Sequence, residues 1–272
     1  MSRPPDLPAP LALPDDLADA VARAGSRPGS FGADLLYFGT VGSTNDIAAR
    51  FALAGARDGT TVLAEAQSAG RGRMGRAWFS PPGAGLYASV IIRPETAQPV
   101  SLFTLVAGVA LAEALRATTA LPVDIKWPND LVVGRRKLCG ILAEGHASHG
   151  RLQHVVVGFG INLRSAAYPA QIADRATSVE AELGRPVERG TVLAASLAAL
   201  AARYEDLRAS RFGAILSRWR ALSPCSSGAA IEWTTAGGAH RGVTAGIDDD
   251  GALLVRADDR VERIIAGEVR WL

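Results

Sequence analysis

The first readable pattern begins at Asp15, where Leu17, Ala20, Val21 and Ala24 recur at helical spacing between an acidic pair and Gly25. This predicts one short helix within an otherwise Pro- and Ala-rich stretch of residues 1 to 30. From Leu35 the period changes. LLYFGTV, Leu35 to Val41, alternates like a strand, and Ser43 or Thr44 then offers an N-cap to a helix carrying Ile47, Phe51 and Ala54 on one face and stopping at Gly55. Thr61 to Glu65 is a second strand. It runs into AQSAGRGRMGRAWFSPPGAG, a polar, glycine-broken loop whose length marks it as a functional candidate.

Beyond that loop, LYASVIIR reads as a strand and residues 100 to 117 as a helix with Leu102, Leu105, Val106, Val109 and Leu115 turned inward. Short strands follow around Val123 to Lys126, Leu131 to Val133, Lys137 to Glu144 and His154 to Gly160, with antiparallel hairpin signals between them. Helices are expected at about 191 to 209 and 212 to 222. SPCSSG, from Ser223, has the composition of a linker, and AIEWTT, HRGVTAGI, ALLVRA and VERIIAG are short strands separated by Gly and Asp turns. The expected organisation is an N-terminal extension (1–30), a main α+β domain with a mixed, largely antiparallel sheet (31–223) and a small β-barrel (224–272). A barrel of that size needs the main domain to pack against.

Composition narrows the class of protein. The chain has 272 residues, 48% hydrophobic and 21% charged, in the range of globular proteins with a substantial core. No apolar run is read as a membrane span, because the Ala-rich segment from Thr191 is short and meets Arg203 and Glu205. The N-terminus lacks the apolar centre of a secretory signal, and a cytoplasmic address is expected. A net charge of +2 gives no whole-chain reason to expect nucleic acid, so any anion site must be local. Cys139 and Cys225 are far apart, with Cys139 in a buried-strand pattern, which predicts two thiols. His146 and His149 form HxxH in a Gly/Ser-rich turn and read as a solvated loop; no metal ligands are assigned.

The basic residues are unevenly written. Of 29, only Lys126 and Lys137 are lysine, and both fall in VDIKWPNDLVVGRRKLCGILAE. Arg135 and Arg136 stand directly before Lys137, so the local sequence accepts arginine freely. A lysine is a compact point charge that fits between two anionic oxygens where a planar guanidinium does not. GRGRMGRAW, Gly70 to Trp78, sets arginines between glycines, a pattern that suits either an anion cradle of backbone amides and guanidinium forks or a flexible basic surface loop. KWPND, Lys126 to Asp130, combines a cation, a rigid turn, an amide and a carboxylate; a plain Asn-Asp turn explains all of it except the preference for lysine. Leu138, Gly140 and Leu142 are expected to face inward, with Lys137 at a cavity edge. GFGIN, Gly158 to Asn162, ends an apolar strand with two glycines and an amide, where a ligand can approach the backbone.

Together, GRGRMGRAW, KWPND, KLCGILAE and GFGIN resemble, in order and spacing, the motifs of the biotin protein ligases: GRGRxGRxW, KWPND, K-L-x-G-I-L-x-E and G-x-G-x-N. The resemblance runs from about residue 35 to 272. Regulatory members carry an N-terminal winged helix, which 30 residues cannot hold. The resemblance implies a catalytic domain like that of class II aminoacyl-tRNA synthetases, a C-terminal SH3-like barrel, and a reaction in two steps. Biotin and ATP with Mg²⁺ give biotinyl-5′-adenylate, and the acyl group then passes to a lysine of a biotin carboxyl carrier protein or domain.

By position, the resemblance places Ser43, Thr44 and Gln67 at the ureido head of biotin and Asn45 among the residues that bind biotin or its adenylate. It places Gly70, Arg71 and Trp78 in the biotin-binding loop, with Arg71 at the biotin carboxyl or the phosphate, and Arg73 in the part that closes over the adenylate. Lys137 would bridge the biotin carboxyl and the α-phosphate, Gly140 and Gly160 would admit the ligand, Asn129 and Asp130 would help to place ATP, Mg²⁺ or the incoming lysine, and Asn162 would complete the pocket at the nucleotide. Each cation brought to about 4 Å of a phosphate charge offsets roughly 4 kcal/mol at an effective dielectric near 20, so several must converge. Rival readings are a lipoate or octanoate enzyme of the same fold, a biotin-responsive repressor, and a binding protein that has lost the chemistry. The sequence leaves open the choice between a monomer and a homodimer paired through sheet edges.

Overall fold

The computed structural model of the chain describes residues 7–25, 31–96, 98–165, 168–235, 238–265, 267 and 269–272. The expected N-terminal extension therefore lies partly outside the described residues. Its helix is present as α1 (Asp15–Arg23), which buries Leu17 and Ala20. The main sheet has seven strands in the order β1-β2-β3-β7-β6-β5-β4. These are β1 (Leu35–Val41), β2 (Thr61–Gln67), β3 (Gly85–Ile92), β4 (Val123–Lys126), β5 (Asp130–Val133), β6 (Arg136–Ser148) and β7 (Arg151–Asn162). β1 and β2 are parallel and the other pairs antiparallel, giving the mixed α+β sheet expected.

The sheet separates two cores. Along β3, Leu86, Ala88, Val90 and Ile92 join the larger core with α3 (Val100–Thr119), α5 (Arg189–Arg208) and α6 (Phe212–Leu222). On the opposite face, α2 (Thr44–Leu53) covers Val62, Ala64, Ile91 and Val156 with Ile47, Ala48 and Phe51. Successive strand residues point to opposite faces, so the side chains interleaved with the larger core at β3, β6 and β7 necessarily lie on the α2 side. That side carries the cleft.

Helix α3 corrects one expectation. It is 20 residues long with an 18-residue stretch of mean hydropathy 1.6, long and apolar enough by length and composition to cross a membrane, whereas the sequence reading has no run of that length. Its apolar surface is used inside the protein, where 67% of that stretch is buried and the helix packs on the sheet, α5 and α6. The short helix α4 (Val179–Leu183), capped by the Ser178 side chain, was not foreseen, and neither was the last strand, β12 (Val269–Trp271).

The C-terminal strands β8 (Ser227–Thr235), β9 (Gly238–Ile247), β10 (Leu253–Ala257), β11 (Arg260–Ile264) and β12 form an antiparallel sheet in the order β11-β10-β9-β8-β12. Its buried face, with Ile231, Trp233, Ile247, Leu253 and Val255, merges into the larger core of the main domain, as a module of this size requires. The indole N–H of Trp127 donates to the carbonyl of Gly251 at 3.0 Å, and Ser223 Oγ donates to the carbonyl of Ile125 at 2.7 Å. The small sheet is thus joined to the KWPND turn.

Candidate active site

The cleft on the α2 side encloses about 570 Å³, and residues from all four sequence motifs line it. The alternation of β7 explains the opening. Val155, Val157, Phe159 and Ile161 fill the larger core, while the intervening positions facing α2 become Gly158, Gly160 and Asn162. Gly140 on β6 pairs with Gly160. The indole of Trp78 occupies the space these glycines leave: a Cβ on Gly160 would sit 2.3 Å from Trp78 Nε1, and one on Gly140 3.0 Å from Trp78 Cζ3. Gly158 makes room for Asn45 in the same way, since a Cβ there would lie 2.0 Å from Asn45 Oδ1. Gly158 and Asn45 are therefore one packing unit, and only Asn45 was expected at the site.

Lys137 reaches the cleft through an irregularity. Leu131 pairs with Cys139 and the next residue, Val132, with Lys137, so β6 carries an extra residue at Leu138. Leu138 and Cys139 both enter the larger core, which leaves Lys137 and Gly140 facing the cleft together. A regular strand cannot put residues three apart on one face; a bulge can. This changes the expected inward set from Leu138, Gly140 and Leu142. Lys137 Nζ lies 2.6 Å from Asp130 Oδ1 and 5.1 Å from the centroid of the Trp78 ring. Backbone bonds clamp the same residue, with its N–H donating to the Arg175 carbonyl at 2.7 Å and its carbonyl accepting from Thr177 N–H at 2.9 Å.

At one end of the cleft the polar groups are uncharged and fixed. Gln67 Oε1 accepts from the backbone N–H of Thr44 at 2.8 Å and from Thr44 Oγ1 at 3.1 Å, while Gln67 Nε2 donates to Ser80 Oγ at 2.9 Å. Those partners determine which way the amide points. Ser89 Oγ lies 2.8 Å from Thr44 Oγ1 and 2.6 Å from Asn45 Oδ1, bringing a buried β3 hydroxyl into the cradle that the sequence did not single out. Ser43 is the N-cap residue of α2 by position, is buried, and makes no capping side-chain bond; it lines the cleft beside Thr44.

Residues 70–78 are not an open loop. Gly72 N–H donates to the Arg76 carbonyl at 2.7 Å and Trp78 N–H to the Gly70 carbonyl at 2.8 Å, closing a small hairpin whose tip, Arg73–Gly75, is a 3-10 turn with Met74 exposed. Because Gly72 and Trp78 N–H are spent within the hairpin, they cannot serve an anion cradle of amides, and the arginine side chains carry that capacity instead. Gly70 is absent from the cleft wall. It lets the hairpin base close, since a Cβ would lie 2.7 Å from the Trp78 carbonyl and 2.8 Å from Ser80 Oγ. Burial draws Arg73 below the usual arginine value, with Asp130 opposing that shift. Arg71 is bound by Asp46 and Glu144.

Asn129 and Asn162 are structural as well as cleft-lining. Asn129 Nδ2 donates to the Ile141 carbonyl at 2.7 Å and its own carbonyl accepts from Ile141 N–H, which ties the KWPND turn to β6. Asn162 Nδ2 donates to the Thr177 carbonyl at 2.9 Å, and Tyr168 OH to the same carbonyl at 3.3 Å. Residues 168–176, for which the sequence offered no motif, supply Tyr168, Ile172, Arg175 and Ala176 to the wall, and the C-terminal sheet region supplies Gly267 and Val269. Among the described residues, seven arginine or lysine side chains and a single carboxylate, Asp130, line the cleft. Such a wall suits a polyanion.

The two histidines of HxxH separate. His146 is on β6 and stacks at 5.1 Å on His154 of β7, while His149 sits in the turn at φ +50°. Among the described residues no group of three His, Cys, Asp or Glu could hold a metal ion. Both cysteines are free, Cys139 buried and Cys225 exposed.

This sheet, with its glycine-floored cleft, is that of a protein-acylating ligase: residues 37–162 match the Biotin/lipoate A/B protein ligase family. Residues 227–270 match the Biotin protein ligase C terminal domain. The chain is 33% identical over 262 residues to the bifunctional ligase/repressor BirA of Bacillus spizizenii, covering 95% of this chain and 80% of that protein. It is 35% identical over 214 residues to the biotin–[acetyl-CoA-carboxylase] ligase of Paracoccus denitrificans, covering 76% of this chain and 88% of that one. The biotin protein ligase of Aquifex aeolicus, solved in complex with biotin and ATP, superimposes with a TM-score of 0.77 at 28% identity over 88% of this chain and 99% of that one. The chain belongs to the biotin protein ligase family.

Proposed function

We propose that the cleft joins biotin to AMP and then transfers the biotinyl group to a lysine of a biotin carboxyl carrier domain. The observation that carries this reading is that one cleft holds both an uncharged, hydrogen-bonded cradle (Thr44, Asn45 and Gln67, backed by the buried Ser89) and a cation-rich wall that includes Lys137. A neutral ureido head suits the first part and a triphosphate the second. A lipoate or octanoate chain offers no partner to the second N–H of Gln67 Nε2 or to the buried Ser43 hydroxyl, the two cradle groups that the internal bonds leave over, and a buried polar group without a partner costs roughly 1–3 kcal/mol.

The residues take these roles in the proposed reaction. Ser43, Thr44 and the remaining N–H of Gln67 Nε2 meet the ureido group, and Trp78 walls the acyl chain. A biotin carboxylate oxygen attacks the α-phosphorus of ATP, the bond to pyrophosphate breaks, and pyrophosphate leaves; Mg²⁺ entering with ATP would offset triphosphate charge. Lys137 and Arg73 offset the charge that gathers at the α-phosphate, an effect enhanced by partial burial. In the second step the carrier amine attacks the acyl carbon and AMP departs. Asp130, paired with Lys137, would hold the incoming lysine as its ammonium until a proton passes to water and the neutral amine attacks.

ATP–pyrophosphate exchange with Mg²⁺ and separately biotin, lipoate, octanoate or no acid tests the first step. Exchange with biotin alone, followed by labelling of a carrier lysine, is the expected result. Exchange with another acid, or none, overturns it.

A further inference from the structure

The proposed chemistry leaves two carboxylates beside the cleft without a role. Arg71, in the 70–78 hairpin, is held by both oxygens of Asp46 on α2, at 2.7 and 2.8 Å, and by both oxygens of Glu144 on β6, at 3.2 and 3.3 Å. Glu144 Oε2 also accepts from Asn45 Nδ2 at 2.6 Å. Asn45 in turn accepts from Ser89, which touches Thr44, and Thr44 fixes Gln67. One connected set of hydrogen bonds therefore runs from the hairpin, through Glu144, into the cradle for the acid.

The other bonds of this segment act differently. Those from Gly72 to Arg76 and from Trp78 to Gly70 hold the hairpin's own shape, and those of Ser68 N–H to the Val41 carbonyl and Ala69 N–H to the Gly42 carbonyl anchor its base. Arg71 ties the hairpin above that base to both α2 and β6. All three charged side chains are partly exposed, at 38%, 50% and 44% for Arg71, Asp46 and Glu144, so each pair is individually weak and screened by salt. A weak, bidentate, two-sided tie suits an element that must open and close in every cycle.

We infer that Asp46 and Glu144 are positioning residues that latch the 70–78 hairpin over the bound acid through Arg71, and so set how long the acid and its adenylate are retained. This rests on the adenylate-forming reading of the cleft. The Asp46→Asn/Glu144→Gln double variant tests it, because both replacements keep an acceptor for Arg71 and Asn45 while removing the charge.

In ATP–pyrophosphate exchange the expected result is a biotin KM raised about five- to tenfold with kcat within about twofold, and release of preformed adenylate faster by about the same factor as KM. The wild-type KM rises with added KCl, and the double variant loses most of that dependence. Hydrogen exchange at Gly72 and Trp78 N–H speeds up while the melting temperature is unchanged. Unaltered KM and release, a fall in kcat alone, or a lowered melting temperature with equal losses in both constants would each overturn the latch. If the wild-type protein gives no exchange reaction, the functional reading falls, and the amide measurement on unliganded protein decides the latch: faster exchange in the variant supports it and equal exchange overturns it.

Discussion

Lys137 Nζ lies 2.6 Å from Asp130 Oδ1 while standing over the Trp78 ring, so its ammonium is held between a carboxylate and a π face. Gly140 bounds the same space: a Cβ there would lie 3.2 Å from Lys137 Cε and 3.3 Å from Nζ. A planar guanidinium is broader than this slot and directs its donors in one plane. Lys137→Arg should therefore keep the charge and lose adenylation, with kcat for pyrophosphate exchange falling by about 100-fold, as for removal of a preorganised donor. Exchange within a few-fold of wild type would show that charge alone suffices.

Gly160→Ala tests the glycine floor. The new methyl would meet the Trp78 ring at 2.3 to 2.9 Å, and an indole wedged on a strand has no flexible end to move aside. Trp78 must shift into the cleft, so the biotin KM should rise by about tenfold or more, and overpacking should lower stability by about 1–3 kcal/mol. Titration calorimetry with biotin alone separates the two effects; unchanged affinity would mean that the ring has another place to rest.

Much of this site could be read from residue types, and the remainder shows what residue types do not encode. GRGRMGRAW, KWPND, KLCGILAE and GFGIN do converge on one cleft. Strict alternation, however, would put Lys137 on the same face as Cys139, and the bulge at Leu138 that re-aims it depends on the pairing with β5, which no local pattern specifies. The pairing of Arg71 with Asp46 and Glu144 joins positions 25 and 73 apart in sequence. Tyr168, Ile172 and Ala176 form wall only because the backbone of 175–177 pairs with Lys137. The pattern of α3 does predict inward-facing Leu102, Leu105 and Val106, but its full apolar length, enough to span a membrane, is matched to a protein interior only by its packing on the sheet, α5 and α6.

Arg189 links the first helix to the sheet and gives stability an acid limit. It donates to Asp16 and to Glu65, and Glu65 also accepts from Tyr37 OH at 2.8 Å. The Arg189 hydrogen bond holds Asp16 below its ordinary value. Burial alone would raise Glu65, but hydrogen bonds from Arg189 and Tyr37 outweigh it and the net direction is down. Burial and Glu65 push the Tyr37 phenol up to about 12, so it stays a donor. Carboxylates with depressed folded values stabilise above their unfolded values and lose that contribution as pH falls through the folded ones. Urea midpoints should therefore drop below about pH 4.5. Arg189→Met should be less stable at pH 7 by about 1–3 kcal/mol, mainly through Glu65, since Asp16 is half exposed, and its midpoints should fall less steeply with acid. Parallel acid limbs for the two proteins would remove Arg189 as the cause.

The small C-terminal sheet should act through one turn on the cation-rich end of the cleft, the end proposed to take the nucleotide. Gly251 adopts φ +81°, and a Cβ there would fall 2.2 Å from Leu105 Cδ1 of α3, while its carbonyl accepts the indole N–H of Trp127 in the KWPND turn. Gly251→Ala therefore combines backbone strain with a clash at the domain junction, a destabilisation of about 1–3 kcal/mol. The turn beside it carries Lys126, Asn129 and Asp130, and the other end of the same sheet brings Gly267 and Val269 to the cleft wall, so movement at this junction reaches the cationic side before the cradle of Thr44 and Gln67. The variant should raise the KM for ATP by several-fold more than that for biotin in pyrophosphate exchange below its melting temperature. Equal changes in both constants would mean that the junction holds the whole cleft and not its nucleotide end.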